Sequence, residues 1–188
     1  MTDNNSERTI LFIDNSYAFS GMRGVGWRFS WEKVLNFLEK DGSIRQVYFF
    51  ASEHRPPKDN QRNFYKMLSS QLGFEMHLGE TKQKTITVQD DDGNDIQRTV
   101  YLDKGLDVRL VTWLLKLLIN NAFDNLIIIS GDGDYADALR TVKERGCTVE
   151  VVGWKNSVAK SLEEISSTPV LYLDDIRTEI ERDEDHLL

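Results

Sequence analysis

Short apolar runs alternating with amphipathic stretches set the rhythm of this chain. The run Thr9 to Ile13 (TILFI) is unbroken and β-branched, as a parallel strand buried on both faces requires, and it ends on a polar stretch beginning at Asp14. After Ser30, a candidate cap, the segment Trp31 to Lys40 (WEKVLNFLEK) spaces Trp31, Val34, Leu35 and Leu38 along one helical face. Gln46 to Ala51 (QVYFFA) reads as a second strand, Asn60 to Leu72 as a helix with Phe64, Met67 and Leu68 on one side, and Phe74 to Leu78 as a third strand. Lys82 to Asp103 departs from the pattern: TITVQ and IQRTVYL each alternate around the turn signal DDDGND, which predicts a β-hairpin inserted on the surface. Lys104 to Ala122 is helical and mostly apolar, the mark of a central buried helix. Leu126 to Ser130 (LIIIS) supplies strand four and Thr148 to Val152 strand five. Between them Tyr135 to Arg145 forms a helix ended by Gly146, and a short helix Val158 to Ile165 and a last strand Val170 to Leu173 follow.

Strands that alternate with helices imply right-handed crossovers and a sheet covered on both faces. The expected fold is therefore α/β, three-layer α/β/α, with a mainly parallel sheet of order about 3-2-1-4-5, counting the five core strands above, and the inserted hairpin. A chain of 188 residues fits one domain: a core over 9–173, the insertion over 82–103 and an acidic tail over 174–188. No apolar run approaches the roughly 18 residues of a membrane span and the start MTDNNSERT lacks a signal-peptide layout, which predicts a cytoplasmic protein with no membrane partner. The lone Cys147 precedes an apolar run and reads as an inert, core-facing thiol.

The formal charge of −8 argues against a protein that coats nucleic acid non-specifically. Much of that charge is local: Asp174 to Asp185 holds seven acids against Arg177 and Arg182, so the remainder carries only −3. In open α/β sheets ligands bind beyond the carboxyl ends of the strands, where strand order reverses. Strand one ends on Asp14, strand four runs into Ser130-Gly131-Asp132-Gly133-Asp134, and Asp107 opens the central helix just before strand four. An aspartate cluster without His or Cys suits a hard divalent ion such as Mg²⁺ or Mn²⁺, and phosphodiester hydrolysis is the natural reaction for such a site. Each aspartate has a plainer reading, capping for Asp14, Asp132 and Asp134 and dipole compensation for Asp107. It is their shared position at strand ends that points to a site. His54, His77 and His186 stand in unrelated segments and read as non-catalytic.

Three blocks resemble the NYN (LabA-like) branch of the PIN-like nucleases: ILFIDNS at Ile10 to Ser16, KGLDVRL at Lys104 to Leu110 and IIISGDGDYADAL at Ile127 to Leu139. The resemblance implies a PIN-like fold and RNA cleavage with Mg²⁺ or Mn²⁺ held by Asp14, Asp107, Asp132 and Asp134. It also matches Lys104 to a lysine ahead of the helix aspartate and Ser157 to a serine ahead of the last helix. One departure stands out: members often carry asparagine three residues after the first aspartate, where this chain has Tyr17, with asparagine at Asn15 instead.

The expected function is a metal-dependent endoribonuclease acting on single-stranded RNA. The alternatives are an RNA-binding or regulatory module that retains the acidic pocket without turnover and, in a different class, a small-molecule phosphatase. The phosphatase wants a second acid two residues after its nucleophile, where Ser16 stands. Substrate contacts are expected from Asn15, Arg23, Arg28, Lys104, Ser130 and Ser157, with Trp27 able to stack an unpaired base or to tuck onto the core, and Lys155 and Lys160 within reach of the same mouth. A homodimer is left open.

Overall fold

In the computed structural model the described residues are 7–53, 58–89, 94–103 and 105–183. Strands β1 (Thr9–Asp14), β2 (Ile44–Glu53), β3 (Glu75–Gln89), β4 (Asp95–Asp103), β5 (Asn125–Ile129), β6 (Thr148–Gly153) and β7 (Leu171–Tyr172) form one seven-stranded sheet of order β4-β3-β2-β1-β5-β6-β7. The helices are α1 (Asn15–Val25), α2 (Trp31–Leu38), α3 (Asp59–Gln71), α4 (Leu106–Ile119), α5 (Ala136–Glu144), α6 (Lys160–Ile165) and α7 (Arg177–Ile180). All neighbouring strands pair parallel except β3 and β4.

The central five strands follow the expected order, and the sheet grows at both ends: β7 adds beyond β6, and the hairpin joins beyond β2. The hairpin is not a separate insertion, because its first strand is the continuation of β3. Residues Glu75 to Glu80 pair with β2, and Thr81 to Gln89 pair antiparallel with β4. No proline or turn dipeptide separates Leu78 from Thr81, and Gly79 lets a strand bend without ending it. The tip at 90–93 lies outside the described residues, as do Lys104, His54 and His186.

Alternation along the strands divides the core into two layers. On one face Ile10, Phe12, Phe50, Leu126, Ile128 and Val151 meet the i, i+4 stripe Leu106, Leu110, Leu114 and Leu118 of α4, with Leu139 and Val142 of α5. On the other, Leu11, Ile13, Phe49, Ile127 and Ile129 meet Ala18 of α1, Trp31 and Val34 of α2, and Leu68 of α3. Each such aliphatic side chain contributes about 1.5–3 kcal/mol by leaving water.

Helix α1 forms in the polar stretch that begins at Asp14, where the residue pattern predicts no element. Its apolar periodicity is weak, with Ala18 its one buried residue, and it carries Gly21 and Gly24, each costing a helix about 1 kcal/mol relative to alanine. Gly21 is required there, because a Cβ would overlap the Trp154 indole. Trp27 is 8% exposed and sits edge-on to Trp154 at 5.3 Å, so it belongs to the core and not to a binding surface. Cys147 is half-buried, its Sγ 3.6 Å from the Phe123 carbonyl, and burial raises its pKa.

Candidate active site

The end of β1 is where the sheet delivers its most unusual group. Asp14 is 4% exposed, and with Ser130 it makes up the buried polar and charged side chains among the described residues. Its Oδ1 accepts hydrogen bonds from the Ser16 N–H (3.0 Å), the Ser16 hydroxyl (2.7 Å) and the Tyr17 N–H (3.2 Å), which makes Asp14 the N-cap of α1. Its Oδ2 faces the cleft and accepts from the Ser130 hydroxyl at 3.3 Å and the Tyr135 hydroxyl at 3.4 Å. Capping and cleft-lining are thus one arrangement: Oδ1 fixes the helix and Oδ2 faces the neighbouring strand end.

Tyr135 joins two aspartates. Its hydroxyl also donates to Asp107 Oδ1 at 3.0 Å, bringing the carboxylates at the end of β1 and the start of α4 to one oxygen atom. A single phenolic proton serves one acceptor at a time, and the shorter distance favours Asp107. Burial first, then the charges of Asp14 and Asp107, drives the Tyr135 pKa far above its ordinary value, so the ring stays a neutral donor. Asp107 itself lies exposed in the first turn of α4, where the helix dipole also favours it.

The loop after β5 supplies the remaining acids. Asp132 caps the single 3-10 turn Gly133–Tyr135, its Oδ1 accepting from the Asp134 N–H at 3.0 Å, and its own N–H donates to the Ser130 hydroxyl at 3.2 Å. The Tyr135 hydroxyl thus stands within hydrogen-bond distance of Asp107 and Asp14, serving one at a time, and further bonds run from Asp14 through Ser130 to Asp132 and on to the Asp134 backbone. The Asp134 side chain is exposed, with Gly131 buried between strand end and cap.

A second knot closes the flank. The Tyr17 hydroxyl accepts from the Trp154 N–H at 2.7 Å and lies 2.8 Å from Ser157 Oγ, which itself donates to the Trp154 carbonyl at 3.1 Å. Since Ser157 has spent its proton, Tyr17 is the donor in that pair. Burial raises the Tyr17 pKa and preserves that proton. Gly131 lies under this knot, where a Cβ would overlap the Ser157 carbonyl and the Tyr17 ring. Ser157, expected at the substrate, is thereby engaged in holding the β6 end to α1.

Of the other residues named from sequence, Asn15 opens α1 and is half-buried, and Arg23 and Arg28 are exposed and line one groove with Phe19, Met22 and Gly26. Lys155 is held by Asp175, and Lys160 stands 3.7 Å from Glu164. Tyr135 was not singled out in the sequence. A tyrosine directly after the D-G-D run, where a cap turns back onto the sheet, was the signal available. His77 is structural: it stacks on Phe50 at 4.7 Å and bonds Glu75 at 3.0 Å, with burial lowering its pKa.

Carboxylates are the donors a hard divalent cation takes, and Asp14 and Asp107 share the Tyr135 hydroxyl as a hydrogen-bond partner. Among the described residues no group of three His, Cys, Asp or Glu side chains is placed to hold a metal ion. Mg²⁺ ordinarily needs no such group, since it keeps several waters and takes one or two carboxylates.

Comparison with known proteins decides the family. The family model for the NYN domain matches residues 8–172. The chain belongs to the NYN domain family. This NYN domain is also 26% identical over 178 residues to the low amplitude and bright protein LabA of Synechococcus elongatus, covering 94% of this chain and 89% of that one. The crystal structure of a protein of unknown function from Vibrio parahaemolyticus shares the fold at a TM-score of 0.70 and 18% identity, covering 97% of this chain and all of that one. The NYN match spans all the strands of the sheet and both flanks of the aspartate cleft. Among the described residues no helix is long and apolar enough to cross a membrane.

Proposed function

We propose that this NYN domain is a metal-dependent endoribonuclease that hydrolyses phosphodiester bonds of single-stranded RNA. One observation carries the reading: Asp14 is a buried carboxylate at the switch point of a parallel sheet, surrounded by neutral donors and, among the described residues, without a cationic partner. Leaving an ionised carboxylate buried without a counter-charge is costly, and an external cation offsets that cost. Asp14 and Asp107 would hold Mg²⁺ or Mn²⁺, with Asp132 and Asp134 as further donors. The ion supplies Lewis-acid activation of water and charge neutralisation on the phosphodiester.

The chain's own groups do the positioning. Ser16 and the α1 backbone fix Asp14 Oδ1, Ser130 and Tyr135 orient Oδ2, and Tyr135 holds Asp107 toward the same cleft. Asn15, Arg23, Arg28 and Lys104 are the substrate-side candidates, with Ser130 and Ser157 shaping the floor. The family and the acidic cleft together favour RNA over a small phosphate ester.

The second reading, an RNA-binding module without turnover, draws on Tyr17 and the absence, among the described residues, of a three-residue metal-holding group. One assay separates the two. Fluorescent single-stranded RNA incubated with the protein in Mg²⁺, Mn²⁺ or EDTA should be cut internally with metal, and remain whole with EDTA or with Asp14→Asn. RNA bound but uncut in every condition selects the module. No binding in any condition defeats both readings.

A further inference from the structure

Helix α1 carries a feature that the aspartate cleft does not use. Phe19 is 50% exposed, a large apolar ring open to solvent, and it lines a surface groove of about 180 Å³ with Met22, Arg23, Gly26 and Arg28. Asn15, Phe19, Met22, Arg23 and Gly26 fall at i, i+4, i+7, i+8 and i+11, a single stripe of the helix. The stripe begins beside Asp14 and runs for about 16 Å at about 1.5 Å per residue.

Charge distinguishes this groove from the rest of an acidic protein. The nearby acids of the C-terminal segment have cations: Glu181 pairs with Arg177 at 2.7 Å, Asp183 with Lys33 at 2.9 Å, and Glu179 with Lys40. Arg23 and Arg28 are exposed and take part in no ion pair among the described residues. The result is an exposed aromatic ring flanked by two available guanidinium groups, one helix stripe away from the candidate active site.

We propose that this groove is a nucleobase subsite for single-stranded RNA: an unpaired base stacks on Phe19 while Arg23 and Arg28 grip the adjoining phosphates. The proposal rests on the reading of the cleft as an RNA site and adds the path, with the strand leaving the aspartates along α1. Aromatic faces stack every base and arginine binds phosphate, so the subsite accepts unpaired RNA of varied sequence and rejects duplex, whose bases are not available to stack. Trp27, the sequence's more conspicuous aromatic, is committed to the core, which leaves Phe19 to supply the ring.

The test measures binding of the full chain to a short single-stranded RNA carrying 2-aminopurine, in EDTA so that turnover does not interfere. Phe19→Ala should weaken binding about tenfold and remove the quenching that stacking produces, whereas Phe19→Tyr should retain both. Phe19→Leu keeps apolar volume without a π-face and should behave like alanine. Arg23→Ala with Arg28→Ala should weaken binding and flatten its salt dependence. Unchanged affinity in Phe19→Ala overturns the subsite while leaving cleavage by the wild type to judge the nuclease reading separately. So does full recovery by leucine, or an effect confined to self-association in sedimentation, which would make the patch a protein contact. Failure of the wild type to bind the RNA at all removes both.

Discussion

The two ends of the central strand pair β1 and β5 each hold an aspartate, and they treat it in opposite ways. At the amino end Asp124 receives the Arg8 guanidinium at 2.8 and 2.9 Å and the Arg8 N–H at 3.0 Å, and these bonds depress its carboxyl from an ordinary 3.8 to about 2. At the carboxyl end the donors to Asp14 among the described residues are all neutral. Asp124 is 42% exposed and fully matched in charge, while Asp14 is 4% exposed and, among the described residues, has no matching cation. A solvated carboxylate that needs little help has been given a cation, and a buried one that needs much has been given none. The first arrangement is a charged pair; the second is a carboxylate held by hydroxyl and backbone donors at the start of α1.

The largest expected contrast is in turnover. Asp14→Asn keeps the shape and most acceptor bonds but removes the charge, and it should lower RNA cleavage about a hundredfold or more, since charge stabilisation by a metal contributes several kcal/mol. Arg8→Met at the other end should leave the rate near wild type. Equal losses in the two variants would dissolve the distinction between the ends.

Stability sharpens the contrast next. Gly131→Ala places a methyl group against the Ser157 carbonyl and the Tyr17 ring, and should cost about 1–3 kcal/mol in urea unfolding. Tyr135→Phe removes the hydroxyl shared by Asp107 and Asp14, and without added metal should cost about 1–2 kcal/mol. An undiminished midpoint in Tyr135→Phe would mean the bridge is not made in solution.

The smallest effect belongs to the amino end. Because the folded Asp124 pKa is depressed, the Arg8 pair stabilises the protein above about pH 4, and that stabilisation disappears as pH falls toward 2. The pair is substantially exposed, so its contribution should stay under about 1 kcal/mol. The difference in melting temperature between wild type and Arg8→Met should be small at pH 7 and vanish by about pH 2. A gap that widens on acidification would contradict the assignment of Asp124 as the titrating partner.

Much of this architecture was legible in the residue pattern because buried parallel strands advertise themselves. TILFI, QVYFFA and LIIIS fit a sheet covered on both faces, and their alternation with helices implies parallel pairing through right-handed crossovers. Helix α1 was not legible, because Gly21 answers to Trp154, more than 120 residues away, and local propensity carries no trace of that contact. Trp27 stayed open between stacking a base and packing onto the core for a related reason, because only Trp154 beside it decides for the core. At the site, the positions of Asp14, Ser130 and Asp132 could be read from strand ends. The bridging of Asp14 to Asp107 by Tyr135 depends on the angle at which α4 approaches the sheet, which no spacing encodes.

Strand β3 has one backbone and two pairing partners. From Glu75 to Glu80 it pairs with β2, and from Thr81 to Gln89 it pairs with β4, with the Thr81 hydroxyl still donating to the Glu53 carbonyl at 2.9 Å. Among the residues whose side chains are described, none from Thr81 to Asp103 belongs to either core layer. The groups at the end of β1 therefore take their positions from α1, α4 and the loop after β5, and not from the hairpin.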